Sequence, residues 1–229
     1  MKVAWPHEEA RTEVDALRVW DGDGTIRVLA HDAERWAMLL ERCVPGTPLG
    51  DEWDDETVAI GIGFLRRLWR PVAGGFPVLH DLAISWAATG HERAERWPEL
   101  LDAGIVREGL DLLVSLAESG QRLLLHTDLH PGNVLRSQRE KWLAIDPKPV
   151  IGDPGYDAYQ LIVDGVHDVD HLRARISRVA GDLGIEVARL QGWALARSVE
   201  WALWAGRNDP TIEYAIDRAD RARLAARLS

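Results

Sequence analysis

The feature that most constrains this chain is a polar loop held between two short apolar runs. His126-Thr127-Asp128-Leu129-His130-Pro131-Gly132-Asn133 is preceded by Arg122–Leu125 and followed by Lys141–Ile145. Both flanks read as strands, and loops fixed this way are where functional side chains gather. Asp128 and Asn133 stand five residues apart, and a second carboxylate, Asp146, follows the next strand inside Ile145-Asp146-Pro147-Lys148-Pro149. Hard oxygen donors on two adjacent turns suit Mg2+, which takes one or two carboxylates and completes its shell with phosphates and water. Asn133 and Asp146 would share that ion, leaving Asp128 to accept a proton from a substrate hydroxyl.

Around this loop the pattern is mainly helical. Glu8 to Trp20 places Ala10, Val14 and Leu17 at helical spacing, and Asp21-Gly22-Asp23-Gly24 ends the helix with residues that tolerate positive φ. Thr25–Leu29 and Ala37–Leu40 read as a hairpin turning at His31–Glu34. The Pro- and Gly-dense stretch Cys43 to Gly50 is a connector and marks a lobe boundary. Helices are expected over Asp54–Trp69, Asp81–Trp97 and Gly104–Glu118, the last closed by Gly120. Four more are expected near Tyr156–Val163, Val169–Leu183, Glu186–Ala205 and Thr211–Leu228. The expected fold is α+β, with a small lobe over 1–49 and a mainly helical lobe over 50–229.

Composition narrows the partners. With 37 acidic against 27 basic residues the net charge is -10, which disfavours nucleic acid and anionic membranes and favours a cationic ligand. The single cysteine, Cys43, allows no internal disulfide and no thiolate cluster for zinc, so a reducing cytoplasm is the expected setting. Met1 to Glu9 carries no apolar run of signal-peptide length, and no stretch approaches the ~20 apolar residues of a membrane span. The eleven tryptophans serve helix packing or, alternatively, an aromatic cage for a cationic ligand.

These motifs resemble the aminoglycoside phosphotransferases, within the group of streptomycin 6-kinases and hydroxyurea-type resistance kinases. His126 to Asn133 matches the family's His-x-Asp-x-x-x-x-Asn loop, with Thr127 where glycine is usual. Asp146 matches its metal-binding aspartate, and Gly152-Asp153-Pro154-Gly155-Tyr156-Asp157 the segment beyond. The resemblance implies a protein-kinase-like two-lobe fold, ATP and Mg2+ as cofactors, and transfer of the γ-phosphate to a hydroxyl of an aminoglycoside such as streptomycin. Asp128 is then the catalytic base, while Asn133 and Asp146 hold the metal. Lys2 would grip the α and β phosphates and pair with Glu13, and Leu39 to Cys43 would form the hinge that meets adenine, with Glu41 and Cys43 named for their positions. His126 and His130 shape the loop.

Asp153 and Asp157 either cap a helix or face a cationic substrate. Glu200 falls where relatives place substrate-binding acids, although an exposed helix glutamate would look the same; Glu92 and Glu95 share that ambiguity. Lys148 either reaches a phosphate or is a solvated loop lysine. The resemblance also implies that two strands and a phosphate-covering loop, which precede the lysine in relatives, are missing here. The Gly22-Asp23-Gly24 turn cannot replace them because it follows the lysine. Such a lobe would expose a sheet edge and apolar surface, so association is expected.

Overall fold

The computed structural model describes residues 1–3, 5 and 11–228. The start of the expected first helix, Glu8 to Ala10, lies outside the described residues. The chain divides into two compact units, Met1–Pro77 with Arg122–Ile151 and Val78–Gln121 with Gly152–Ser229. The segment carrying the polar loop therefore packs with the first 77 residues, although more than forty residues separate them in sequence.

The first unit begins with strand β1 (Lys2–Val3), helix α1 (Glu13–Trp20), and strands β2 (Val28–Asp32) and β3 (Ala37–Leu40). The strands form an antiparallel sheet in the order β1-β3-β2, with Lys2 and His31 both opposite Met38. The hairpin thus sits further along than the apolar run suggested. Thr25 is not in it, because it bridges Ala144 in parallel instead. Helix α2 (Val58–Leu68) starts after a tight polar turn in which Asp54 Oδ1 accepts from the Glu56 and Thr57 amides at 2.9 and 2.7 Å. Trp20, fully buried, donates its indole N–H to the Leu68 carbonyl at 2.8 Å and ties α1 to the end of α2.

The second unit contains α3 (Leu79–Arg96) and α4 (Ala103–Ser119), the latter capped by the Asp102 carboxylate on the Gly104 amide at 2.7 Å. The first unit resumes with β4 (Leu123–Leu125), β5 (Val134–Arg136) and β6 (Trp142–Ala144), and β7 (Val150–Gly152) pairs with β4. Two short helices, α5 (Pro154–Asp157) and α6 (Tyr159–Val163), replace the single expected one, and α7 (Val169–Leu183), α8 (Val187–Ala205) and α9 (Glu213–Ala225) complete the second unit. Among the described residues no helix is long and apolar enough to cross a membrane.

Helix α8 is apolar nearly all round, with Leu190, Trp193, Ala194, Ala196, Val199 and Ala202 each sealed from solvent, as a central helix requires. Gly109 on α4 lets it approach, since a Cβ there would lie 2.6 Å from Val199 Cγ2. Gly120 ends α4 for a different reason than expected. Its backbone is extended, with φ -85°, and glycine is needed because a Cβ would fall 2.4 Å from Asp153 Oδ2. Gly109→Ala should gain helix propensity but lose more to overpacking, for a net destabilisation of about 1–2 kcal/mol. Denaturant melting checks this.

Candidate active site

The loop is fixed from three sides within the first unit. His126, with no exposed surface, stacks on Trp20 with ring centroids 6.1 Å apart. Its Nε2 lies 3.1 Å from the Ile145 carbonyl and its Nδ1 accepts from the Asp128 amide at 3.3 Å, an arrangement met by the neutral ring with the proton on Nε2. His130 Nδ1 accepts from the Gly132 amide at 3.1 Å and caps the short helical turn Pro131–Asn133. Buried Trp53 donates to the Leu129 carbonyl at 3.0 Å, and the connector follows it in, with the Leu49 amide 2.8 Å from the Val134 carbonyl.

Asp128 is largely enclosed, and two donors meet its Oδ2: Lys148 Nζ at 2.8 Å and Asn133 Nδ2 at 3.3 Å. Asn133 Nδ2 also reaches the Asp128 carbonyl at 2.9 Å. With its amide nitrogen turned inward, the oxygen of Asn133 is the atom left to meet a hard cation. The Ile145 amide donates to the Asn133 carbonyl at 2.9 Å, so the backbone leading into Asp146 runs beside Asn133. Among the described residues no group of three or more His, Cys, Asp or Glu side chains could hold a metal. Both ring nitrogens of His126 are engaged within the loop, whereas oxygens from Asn133 and Asp146 would suit Mg2+, which relies on phosphate and water for the rest.

Two backbone positions explain the loop's shape. Thr127 and Asp146 adopt φ of 59° and 56°, left-handed values that glycine or Asx tolerates and a β-branched residue resists. The glycine usual at position 127 has its reason there. Thr127 holds the conformation by donating its hydroxyl to the Lys148 carbonyl, while the Lys148 amide donates to the His126 carbonyl at 3.0 Å. Lys148 is thus anchored at both ends and directed onto Asp128.

Lys2 Nζ contacts both Glu13 oxygens, at 2.8 and 2.7 Å, and also Asp146. Burial works against the Lys2 charge, but the hydrogen bonds of Asp146 and Glu13 outweigh it and hold the ammonium above its ordinary pKa. These three residues form the polar end of a cavity of about 310 Å3. Ile26, Leu40, Leu135 and Ile145 make its apolar walls, and Glu41 and Cys43 line it as well. Burial raises the Cys43 thiol, so it stays protonated. The Glu41 amide is already bound to the Arg27 carbonyl at 2.8 Å and its carboxylate to Arg139. Neither Arg139 nor the contact between Lys148 and Asp128 was singled out in the sequence. A turn reading Ser137-Gln138-Arg139-Glu140-Lys141 looks like any solvated hairpin tip.

Asp153, Asp157 and Glu200 belong to the second unit. Asp153 is buried, and its carboxylate accepts from the Gly155 amide at 2.9 Å, Trp193 Nε1 at 2.6 Å and Arg189 Nε at 3.0 Å. Asp157 is 5% exposed in α5. The aromatic rings nearby enclose a cation of the chain itself: the Arg197 guanidinium stands 3.8 Å from the Tyr156 ring centre and 5.1 Å from that of Trp201. Glu200 Oε2 is sealed from solvent without a hydrogen-bond partner, and burial pushes its carboxyl up to about 7 despite the charges of Arg197 and Arg93.

The fold seen here recurs in a choline/ethanolamine kinase family protein from Mesorhizobium loti. That crystal structure superposes with a TM-score of 0.65 over 96% of this chain and 78% of the other, at 18% identity. Fold and sequence together define a small-molecule phosphotransferase with protein-kinase-like architecture. The chain belongs to the aminoglycoside/hydroxyurea antibiotic resistance kinase family, whose profile matches residues 1–209. It is 34% identical to a streptomycin 6-kinase of Streptomyces griseus over 214 residues, covering 89% of this chain and 69% of that protein. It is 38% identical to a hydroxyurea phosphotransferase of Kitasatospora aureofaciens over 212 residues, covering 89% of this chain and 61% of that one.

The Glu200 carboxyl makes a pH prediction. Below its ordinary value of 4.5 it is neutral folded or unfolded, but as pH rises towards 7 only the unfolded chain gains by ionising, so the wild type loses stability. Glu200→Gln should therefore stabilise the protein by about 1–3 kcal/mol at pH 8 and hardly at all at pH 4, read by denaturant melting at both pH values.

Proposed function

We propose that this chain moves the γ-phosphate of ATP to a hydroxyl of an aminoglycoside-type antibiotic such as streptomycin, and so confers resistance to it. The observation carrying this reading is the cavity, apolar along its walls and closed at one end by Lys2, Glu13 and Asp146. An apolar slot suits a purine, and a lysine paired to a glutamate suits the phosphates that follow it. Residues 1–49 would supply most of the nucleotide site and 50–229 the catalytic loop and acceptor contacts. The setting would be the cytoplasm, where the donor is plentiful and Cys43 stays reduced.

In this reading Asn133 and Asp146 hold Mg2+, which when bound offsets charge on the phosphates. Asp128 orients the acceptor hydroxyl and takes its proton as the phosphoryl group transfers in line. Lys148 keeps the Asp128 carboxylate in one orientation, and His126 and His130 hold the loop beneath it. Glu200 is the carboxyl this reading assigns to a cationic acceptor, whose positive charge would favour the ionised form against the burial that now raises its pKa. Asp157 would contribute a further carboxylate, whereas the contacts of Asp153 favour capping. A phosphate added to the drug carries about -1.5 to -2 charge, enough to spoil its recognition by a target that expects a cation.

The relative acting on hydroxyurea motivates a second reading, with a small uncharged hydroxyl compound as acceptor. Assays of ATP-dependent phosphorylation with streptomycin, hydroxyurea and simple polyols separate the two. Asp128→Asn should lower kcat on the true acceptor by about 10²–10⁴ while melting stays cooperative. Retention of full activity would remove Asp128 from the chemistry. ATP binding without transfer to any acceptor would leave a nucleotide-binding protein only.

A further inference from the structure

Glu41 lines the cavity, but what fixes Glu41 lies outside it. Arg139, at the β5–β6 turn, places its Nε 2.8 Å from Glu41 Oε1 and its Nη2 2.9 Å from Glu41 Oε2, a two-pronged charge-assisted pair. The same guanidinium donates from Nη1 to the Gly22 carbonyl at 2.7 Å and from Nη2 to the Thr25 carbonyl, also at 2.7 Å. Its Nη1 also meets Glu140 at 3.0 Å. One side chain thus joins three segments distant in sequence: the turn after α1, the end of β3 and the hairpin tip. The joint is reciprocal at Glu41, whose Oε2 accepts from the Arg27 amide at 3.0 Å while its own amide donates to the Arg27 carbonyl at 2.8 Å.

The joint is also the end of a chain of alternating charges. Arg70 meets Asp23, Asp23 meets Arg67 at 2.6 Å, and Arg67 meets Glu140 at 2.9 Å; Glu140 then meets Arg139, which meets Glu41. Isolated surface pairs are worth little, but a network with an Arg–carboxylate fork has the geometry that makes such pairs count. Arg139 holds the Glu41 carboxyl below the usual range chiefly through its hydrogen bonds, so Glu41 stays charged and engaged across the physiological range.

We propose that Arg139 is a positioning residue for the nucleotide: through Glu41 it sets the wall of the cavity against which the base of ATP packs. The inference rests on the reading of the cavity as a nucleotide site. A wall held by a planar fork and two carbonyls is formed before the ligand arrives, so ordering it adds no cost to binding. Arg139 is not among the residues that line the cavity, so its effect should fall on donor affinity and leave the chemical step alone.

The test is ATP titration and steady-state kinetics with Arg139→Met, Arg139→Lys, Glu41→Ala and the Arg139→Met/Glu41→Ala double variant, with Arg35→Ala as a surface control. Arg139→Met should raise Kd and KM for ATP by about tenfold, leave kcat at saturating ATP within about twofold, and leave the acceptor KM unchanged. Lysine keeps the charge without the fork and should recover only part of the affinity. The double variant should bind no more weakly than Glu41→Ala alone, because both changes break one joint. If Arg139→Met melts below the assay temperature, Arg139→Lys carries the same comparison. Unchanged ATP affinity in a folded variant, a loss in kcat alone, or additive effects in the double variant would each overturn the proposal. Failure of the wild-type chain to bind ATP overturns the nucleotide reading and this inference with it, whereas equal binding by wild type and variants sinks the inference alone.

Discussion

Lys2 is the residue on which the candidate site depends, because its ammonium group is shared by two carboxylates that reach it from different elements. Glu13 comes from the first turn of α1 and is almost fully buried, so its charge is tolerable only with a partner at hydrogen-bond distance. Asp146 comes from the bend after β6, where a left-handed backbone turns its carboxylate to the same ammonium. One cation therefore draws together the N-terminal sheet, the first helix and the segment after the polar loop. Removing it would take a close ion pair from the buried Glu13 carboxylate and leave Asp146 without this anchor, which is costlier than losing an ordinary surface pair.

The polar loop is built on the opposite principle. Its charged tip rests on apolar and backbone contacts: the Trp20 ring against His126, the Trp53 indole on the Leu129 carbonyl, and the Ile145 carbonyl on the buried imidazole. Two tryptophans spaced far apart in the chain thus brace a segment that lies beyond both. Strain at Thr127 is held by its hydroxyl on the Lys148 carbonyl, which also aims the Lys148 side chain at Asp128. Rigidity of this kind is what a transfer reaction needs, since misplacement by a single ångström is costly when positioning does most of the work.

Much of this was legible in the sequence because the relevant signals are local. Asp128, Asn133 and Asp146 fall close together in the chain, and the long helices α2 to α4 and α7 to α9 announce themselves through apolar spacing, whereas the break between α5 and α6 does not. The unreadable parts depend on residues distant in the chain. Nothing in Ser137 to Lys141 says that Arg139 will find Glu41, Gly22 and Thr25. Strand β5 and the two-residue β1 are too short for periodicity to register, and Gly120 is glycine because Asp153 approaches it from another helix. The tryptophan-rich helices read mainly as packing, with a cage for an external cation as the alternative, and only the fold shows Arg197 among those rings.

The claim that the cavity receives a metal-bound nucleotide at Lys2 and Asp146 is tested most directly by measuring ATP affinity with and without Mg2+ in the wild type and in Asp146→Ala. Mg2+ should tighten ATP binding to the wild type by about tenfold or more and have little effect on the variant. An equal response to Mg2+ in both proteins would show that Asp146 does not hold the ion, and would contradict the reading of the site.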